Sequence, residues 1–181
     1  AEVTLANNGT IAASAMVDIS VFDSSGRKIA GGRSPAEKIA PMDQSVAKVS
    51  IPVNSPQLWS VEHPNLYEVR TTVASNNEVM DAVTTNCGFR TIRFDAKQGF
   101  FLNDQPVKLQ GTSNHQDHAG VGVAVPDSIQ EFRIRKLKEM GSNAYRTAHN
   151  PPSRELLEIC DRLGMLVMDE TRHFNASPEY L

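Results

Sequence analysis

The sequence is poor in several things at once, and each lack excludes something. It holds only two cysteines, Cys87 and Cys160, in 181 residues, too few for a disulfide framework. It has no basic excess: 18 Lys and Arg stand against 21 Asp and Glu, a formal charge of −3. No basic run occurs either, which argues against a nucleic-acid or anionic-membrane partner. No run of about 18 apolar residues exists, so no helix is expected to cross a membrane. Neither a Gly-x-Ser-x-Gly elbow nor a phosphate-binding glycine loop appears. What is present is ordinary globular composition, 40% hydrophobic and 22% charged, which excludes a disordered chain. The length allows one or two domains but not a closed eight-fold β/α barrel, which needs roughly 200–250 residues. No basic-plus-apolar leader opens the chain, yet Ala1–Gly9 reads as a strand running into a turn. The chain is therefore expected to be cut from something larger, and its location is left unknown.

The two halves have different periods. Residues 1 to about 86 alternate in β fashion at Val17–Val21, Val49–Val53 and Tyr67–Val73. Turn signals at Asn7-Asn8-Gly9, Asp23–Gly26, Asn54-Ser55-Pro56 and Asn76-Asn77 separate these runs. Strands at this spacing predict a β-sandwich. Trp59, the only tryptophan, lies between Pro56 and Pro64 and reads as a packing anchor at a bulge or edge.

From about residue 88 the pattern changes. Phe100–Leu102 and Val107–Leu109 flank Asn103-Asp104-Gln105-Pro106 as a hairpin. Asp127 or Ser128 is the expected cap of a helix carrying Ile129, Phe132, Leu137 and Met140 on one stripe, up to Gly141. Arg133 falls in that stripe and must snorkel or pair. Asn143–Thr147 is a short strand. Ser153 caps a second helix with the stripe Leu156, Ile159, Cys160 and Leu163, ended by Gly164. Cys160 is thus a core residue, and both thiols are expected to be inert. Met165–Met168 is a continuous apolar run, as in a buried parallel strand. The order β–α–β–α–β with short links predicts an α/β unit with right-handed crossovers.

In such folds functional groups sit at the carboxyl ends of strands. Three segments follow expected strand ends: Gly111–His118 after Val107–Gln110, Arg146–Asn150 after Asn143–Tyr145, and Asp169–His173 after Met165–Met168. Four of the five histidines fall in them, and such a rim is a binding-site hypothesis. His115, Asp117, His118 and His149 could alternatively hold a transition metal, as in a metal-dependent barrel hydrolase. Asp169 and Glu170 are adjacent strand residues, so they point apart; one is expected to pair or cap while the other faces the rim.

Leu58-Trp59-Ser60, Pro64–Tyr67, Gly88-Phe89-Arg90, Phe101–Asn103, Gly111, Asn143–Pro151, Cys160–Gly164 and Asp169-Glu170 run in an order that resembles glycoside hydrolase family 2. The resemblance is strongest to its β-galactosidase branch, where an Asn-His-Gln-Asp-His loop occurs, and it covers essentially the whole chain. It implies an immunoglobulin-like β-sandwich over residues 1–88. Residues 89–181 would then be the first three βα units of an incomplete (β/α)8 TIM barrel. It also implies a retaining glycosidase acting on terminal β-galactosides, with β-glucuronidase or β-mannosidase as relatives within the family. His115, Asp117, His118, His149 and Asn150 would bind the sugar, while Arg146, Asp169 and Glu170 would support the site. The acid/base glutamate of an Asn-Glu pair and the nucleophile glutamate would lie beyond Leu181, so the chain alone is expected to be inactive. No cofactor is expected: some relatives bind magnesium through a Glu-x-His beyond the Asp-Glu motif, and residues 171–176 lack it. The implied partner is a carbohydrate, with no nucleic acid and no membrane, and the implied parent is a periplasmic or otherwise extracytoplasmic bacterial enzyme. Open barrel edges should also make the chain self-associate. The competing class is a non-enzymatic carbohydrate-binding or domain-docking sandwich, built around Trp59.

Overall fold

Alternation in the first half does produce strands, because each alternating face has a core to meet. The computed structural model describes residues 1–170. It divides into two compact units, 1–57 with 66–87, and 58–65 with 88 onward. In the first unit β1 (Glu2–Asn7) pairs antiparallel with β5 (Asp43–Lys48). Opposite lies a sheet of β3 (Lys28–Arg33), β2 (Ala13–Phe22), β6 (Tyr67–Ser75) and β7 (Glu78–Cys87), with β4 (Glu37–Ile39) also on β2. Leu5, Val17, Ile19, Ile39, Ala47 and Val49 fill the space between the sheets. This is a β-sandwich.

The Val49–Val53 run keeps its sidedness but is not a strand. Val49 is buried and exchanges backbone hydrogen bonds with Ala1, at 2.8 and 2.9 Å. Beyond it Pro52 and Pro56 offer no N–H to a ladder. The β6–β7 turn is Asn76-Asn77, both at positive φ, the two-residue turn that matches strand twist. Strand β7 carries almost no alternation signal because both its faces are exposed, including Val79, Met80 and Val83.

The second unit opens with an antiparallel meander of β8 (Ile92–Asp95), β9 (Gly99–Leu102) and β10 (Gln105–Pro106). The hairpin turn is Asn103-Asp104 alone, with both φ positive, so the return strand starts at Gln105, earlier than Val107. Three parallel strands follow: β11 (Gly111–Asn114), β12 (Ala144–Thr147) and β13 (Leu166–Met168), joined by α1 (Asp127–Glu139) and α2 (Arg154–Leu163). The first parallel strand was expected at Val107–Gln110. Its actual residues, Gly-Thr-Ser-Asn, are polar and small, so apolar patterning does not mark them. Gly111 is needed there, since a Cβ would sit 2.1 Å from the Ala144 carbonyl oxygen.

Helix α2 is as expected: the Ser153 hydroxyl accepts from the Leu156 N–H, Gly164 ends the helix at φ 73°, and Ile159 and Cys160 are buried. Burial pushes the Cys160 thiol up to about 12 and raises that of Cys87, so neither is activated. Helix α1 departs from expectation. Pro126 occupies the cap position with no side-chain bond, and Asp127 is the first helical residue. Its only fully buried side chain is Ile134, which packs with Tyr145, Ile159, Cys160 and Met165. Phe132 and Met140 are 54% and 72% exposed. Phe132 and Met140 therefore lie off the contact face, which Ile134 sets together with Leu137 of the expected stripe. On the α1–α2 side, Glu131 accepts from Arg162 and Arg135, which hold its carboxyl down at about 2.

Trp59 is 2% exposed and belongs to this second unit. Its indole N–H donates to the Asp161 carbonyl at 2.7 Å, and its own carbonyl accepts from the Asn103 amide at 3.0 Å. Lys138 Nζ donates to the carbonyls of Val61, at 3.0 Å, and Gly164, at 2.9 Å. Trp59 is a packing anchor, as expected, and is too buried to serve as a sugar platform.

Candidate functional site

Alternation along β12 sends Tyr145 and Thr147 into the helix side and leaves Arg146 on the opposite, concave face. Register puts Ser113 beside Arg146 on that face. The guanidinium donates to Ser113 Oγ at 3.1 Å through Nη1 and to Glu170 Oε1 through Nη2. Glu170 is held from a second direction: its backbone N–H donates to Thr147 Oγ1 at 3.0 Å. Its other oxygen, Oε2, lies 3.3 Å from His149 Nδ1. That oxygen is buried and accepts no hydrogen bond among the described residues. The His149 ring meets the His115 ring edge-on, with centroids 5.5 Å apart. His149 itself is 65% exposed, so this row of groups opens to solvent at the imidazoles.

Ser113, Arg146, Glu170, His149 and His115 therefore converge at the carboxyl ends of the parallel strands. An ion pair is set at the bottom and two imidazoles stand above it. Such a rim presents donors and acceptors of both kinds to a hydroxyl-rich ligand. The other expected positions lie outside this cluster. Asp117 and Asp169 are exposed. His118 closes a tight turn through its backbone, donating to the Gly122 carbonyl at 2.9 Å. Asn150 lines a separate cavity of about 530 Å³ on the helix side, with Asn114, Gln130, Arg133, Tyr145 and Thr147. Ser113 and Thr147 are part of the site's framework and were missed by the sequence reading. Placing β11 four residues later would have found Ser113 by register. Arg172 and His173 lie outside the described residues.

Among the described residues no group of three or more His, Cys, Asp and Glu is placed to hold a metal ion. Glu170 is engaged by Arg146, and residues 171–176 lie outside the described part. The residues described do not form a donor set for magnesium.

A β-sandwich followed by parallel βαβαβ, with its polar cluster at the strand ends, is the layout of a sandwich-plus-TIM-barrel enzyme. The sequence comparisons agree. Residues 1–90 match the family described as "Glycosyl hydrolases family 2", and residues 94–177 match "Glycosyl hydrolases family 2, TIM barrel domain". The chain is 41% identical over 167 residues to a β-galactosidase of Bacteroides ovatus, covering 92% of this chain and 20% of that protein. Among solved structures, a glycosyl hydrolase family 2 member from Bacteroides cellulosilyticus aligns with a TM-score of 0.88 at 34% identity, over 94% of this chain and 23% of that one. A β-glucuronidase of Bacteroides uniformis aligns with a TM-score of 0.89 at 30% identity, over 99% of this chain and 22% of that one. The chain belongs to glycosyl hydrolases family 2, and its three parallel strands are the start of the family's TIM barrel. It spans about a fifth of the length of these relatives.

Proposed function

We propose that this segment forms the sugar-binding rim of a retaining glycosidase that acts on terminal β-galactosides. The observation that carries it is the Arg146–Glu170–His149–His115 row at the strand ends. In this reading His115 and His149 meet sugar hydroxyls, while Asp117, His118 and Asn150, which lie outside the cluster, do not. Arg146 fixes Glu170 in place beside the reacting sugar. Asp169 supports the same strand end.

Relatives that carry the name β-glucuronidase raise the alternative of a uronic-acid substrate. A uronate carboxylate needs a free cation; of the two arginines described near the strand ends, Arg146 is paired with Glu170 and Arg133 is engaged by backbone carbonyls.

The two carboxylates of a retaining displacement would be supplied outside this segment. The single Asn-Glu pair here, Asn77-Glu78, sits at the β6–β7 hairpin of the sandwich, away from any barrel strand end. The test uses nitrophenyl β-galactoside and nitrophenyl β-glucuronide. The chain alone should turn over neither, and a longer polypeptide carrying it within a complete barrel should prefer the galactoside. Turnover by the purified chain that is lost in His149→Ala, or a preference for the glucuronide in the longer form, would contradict the reading.

The concave face also supports self-association of the chain. Ile92, Phe94, Leu109 and Met168 are each at least 40% exposed there and line a concavity of about 350 Å³. Sedimentation at high concentration should show a dimer, and a strict monomer would contradict it.

A further inference from the structure

Arg133 is charged, lies on the inner side of α1, and has no carboxylate partner among the described residues. Its guanidinium instead spans two backbone carbonyls of the loop after β11. Nη2 donates to the His115 carbonyl at 2.8 Å and Nη1 donates to the Asp117 carbonyl at 3.3 Å. Gln116, Val123 and Val125 of that loop, and Arg133 itself, line the cavity of about 530 Å³. The other side-chain bond from α1 to this loop, from Gln130 to the Val125 carbonyl, is long at 3.5 Å. Inside the loop, His118 and Gly122 exchange backbone bonds, at 2.9 and 3.0 Å, which make a local turn but fix it to nothing else.

We propose that Arg133 is a positioning residue that holds the His115–His118 loop in place across this cavity, and so sets His115 edge-on to His149. It touches neither the substrate nor the reacting atoms. It acts through two carbonyls, each met by a separate NH2 group of the planar guanidinium fork. That His115 meets a sugar rests on the reading above; that Arg133 places His115 does not.

The test is made on the full 181-residue chain by nuclear magnetic resonance and amide exchange. In the unaltered protein, the Arg133 Nη1 and Nη2 groups should give separate signals, because two acceptors restrict rotation of the guanidinium. Arg133→Met should speed exchange of the His118 and Gly122 amides by at least about tenfold, the factor matching one hydrogen bond to a charged group. Protection of α2 should stay unchanged. Arg133→Lys should recover part of the loss, since one donor group remains. Averaged guanidinium signals in the unaltered chain would overturn the proposal without any variant. So would a folded Arg133→Met whose loop exchange stays within about threefold of the parent. If Arg133→Met does not fold, the guanidinium signals and Arg133→Lys decide. None of these readouts uses a sugar, so their failure removes the loop assignment and leaves the glycosidase reading intact.

Discussion

Replacing Trp59 by alanine should destabilise the second unit by about 3–5 kcal/mol, the range for deleting a large buried aromatic. The residue is 2% exposed, and the change removes more than apolar area. The indole N–H satisfies the Asp161 carbonyl in the last turn of α2. Arg90 stacks over the ring at 4.6 Å, and Gly88 lies so close that a Cβ there would come within 2.9 Å of the Trp59 Cβ. Trp59→Phe should retain most of the packing and lose about 1 kcal/mol for the hydrogen bond. A domain's total stability is only about 5–15 kcal/mol, so the alanine variant should approach unfolding of this unit. Urea unfolding followed by circular dichroism checks both. A loss below about 1 kcal/mol for Trp59→Ala would show that the 58–65 segment does not anchor the α/β unit.

The second large effect belongs to Gly111. An added Cβ would stand 2.1 Å from the Ala144 oxygen and 2.7 Å from its carbon, both backbone atoms of the neighbouring strand. Backbone cannot swing aside as a side chain can, so Gly111→Ala must push β11 away from β12. The expected cost is about 1–3 kcal/mol or more, as for overpacking. The sharper readout is local. Ser113 and Arg146 share the same register level two residues on, and His115 follows β11 directly. Amide protection along β12 should fall, and the His115 and His149 ring signals should shift together. Unchanged protection at Tyr145 and Thr147 would contradict the close approach.

Both predictions rest on features that patterning could see only in part. Helix α2 was legible almost to the residue, because cap, stripe and terminating glycine agree: Ser153, Ile159 with Cys160, and Gly164. Strands β2 and β6 were legible because one face of each meets a core. Strand β11 was not, since Gly-Thr-Ser-Asn carries no apolar signal and its place is set by a backbone approach that only a neighbour reveals. Helix α1 was found, but its face was misjudged: Phe132 and Met140 look like core residues and are exposed. The rim was legible as a set of loops, since His115, Arg146, His149 and Glu170 all follow strand ends. The geometry separated that set, bringing these four together with Ser113 and leaving Asp117, His118, Asp169 and Asn150 outside. Arg133 was seen to need a partner, but the partners are carbonyls, and a sequence has no pattern for those.

If the imidazole-lined strand ends meet the sugar, kcat/KM for nitrophenyl β-galactoside must depend on them in a longer polypeptide that carries this segment within a complete barrel. His149→Ala should lower it by about 10- to 100-fold, the cost of a lost hydrogen bond to a polar or charged group, with the unfolding midpoint unchanged. A His149→Ala variant that keeps the parent's kcat/KM would contradict the account.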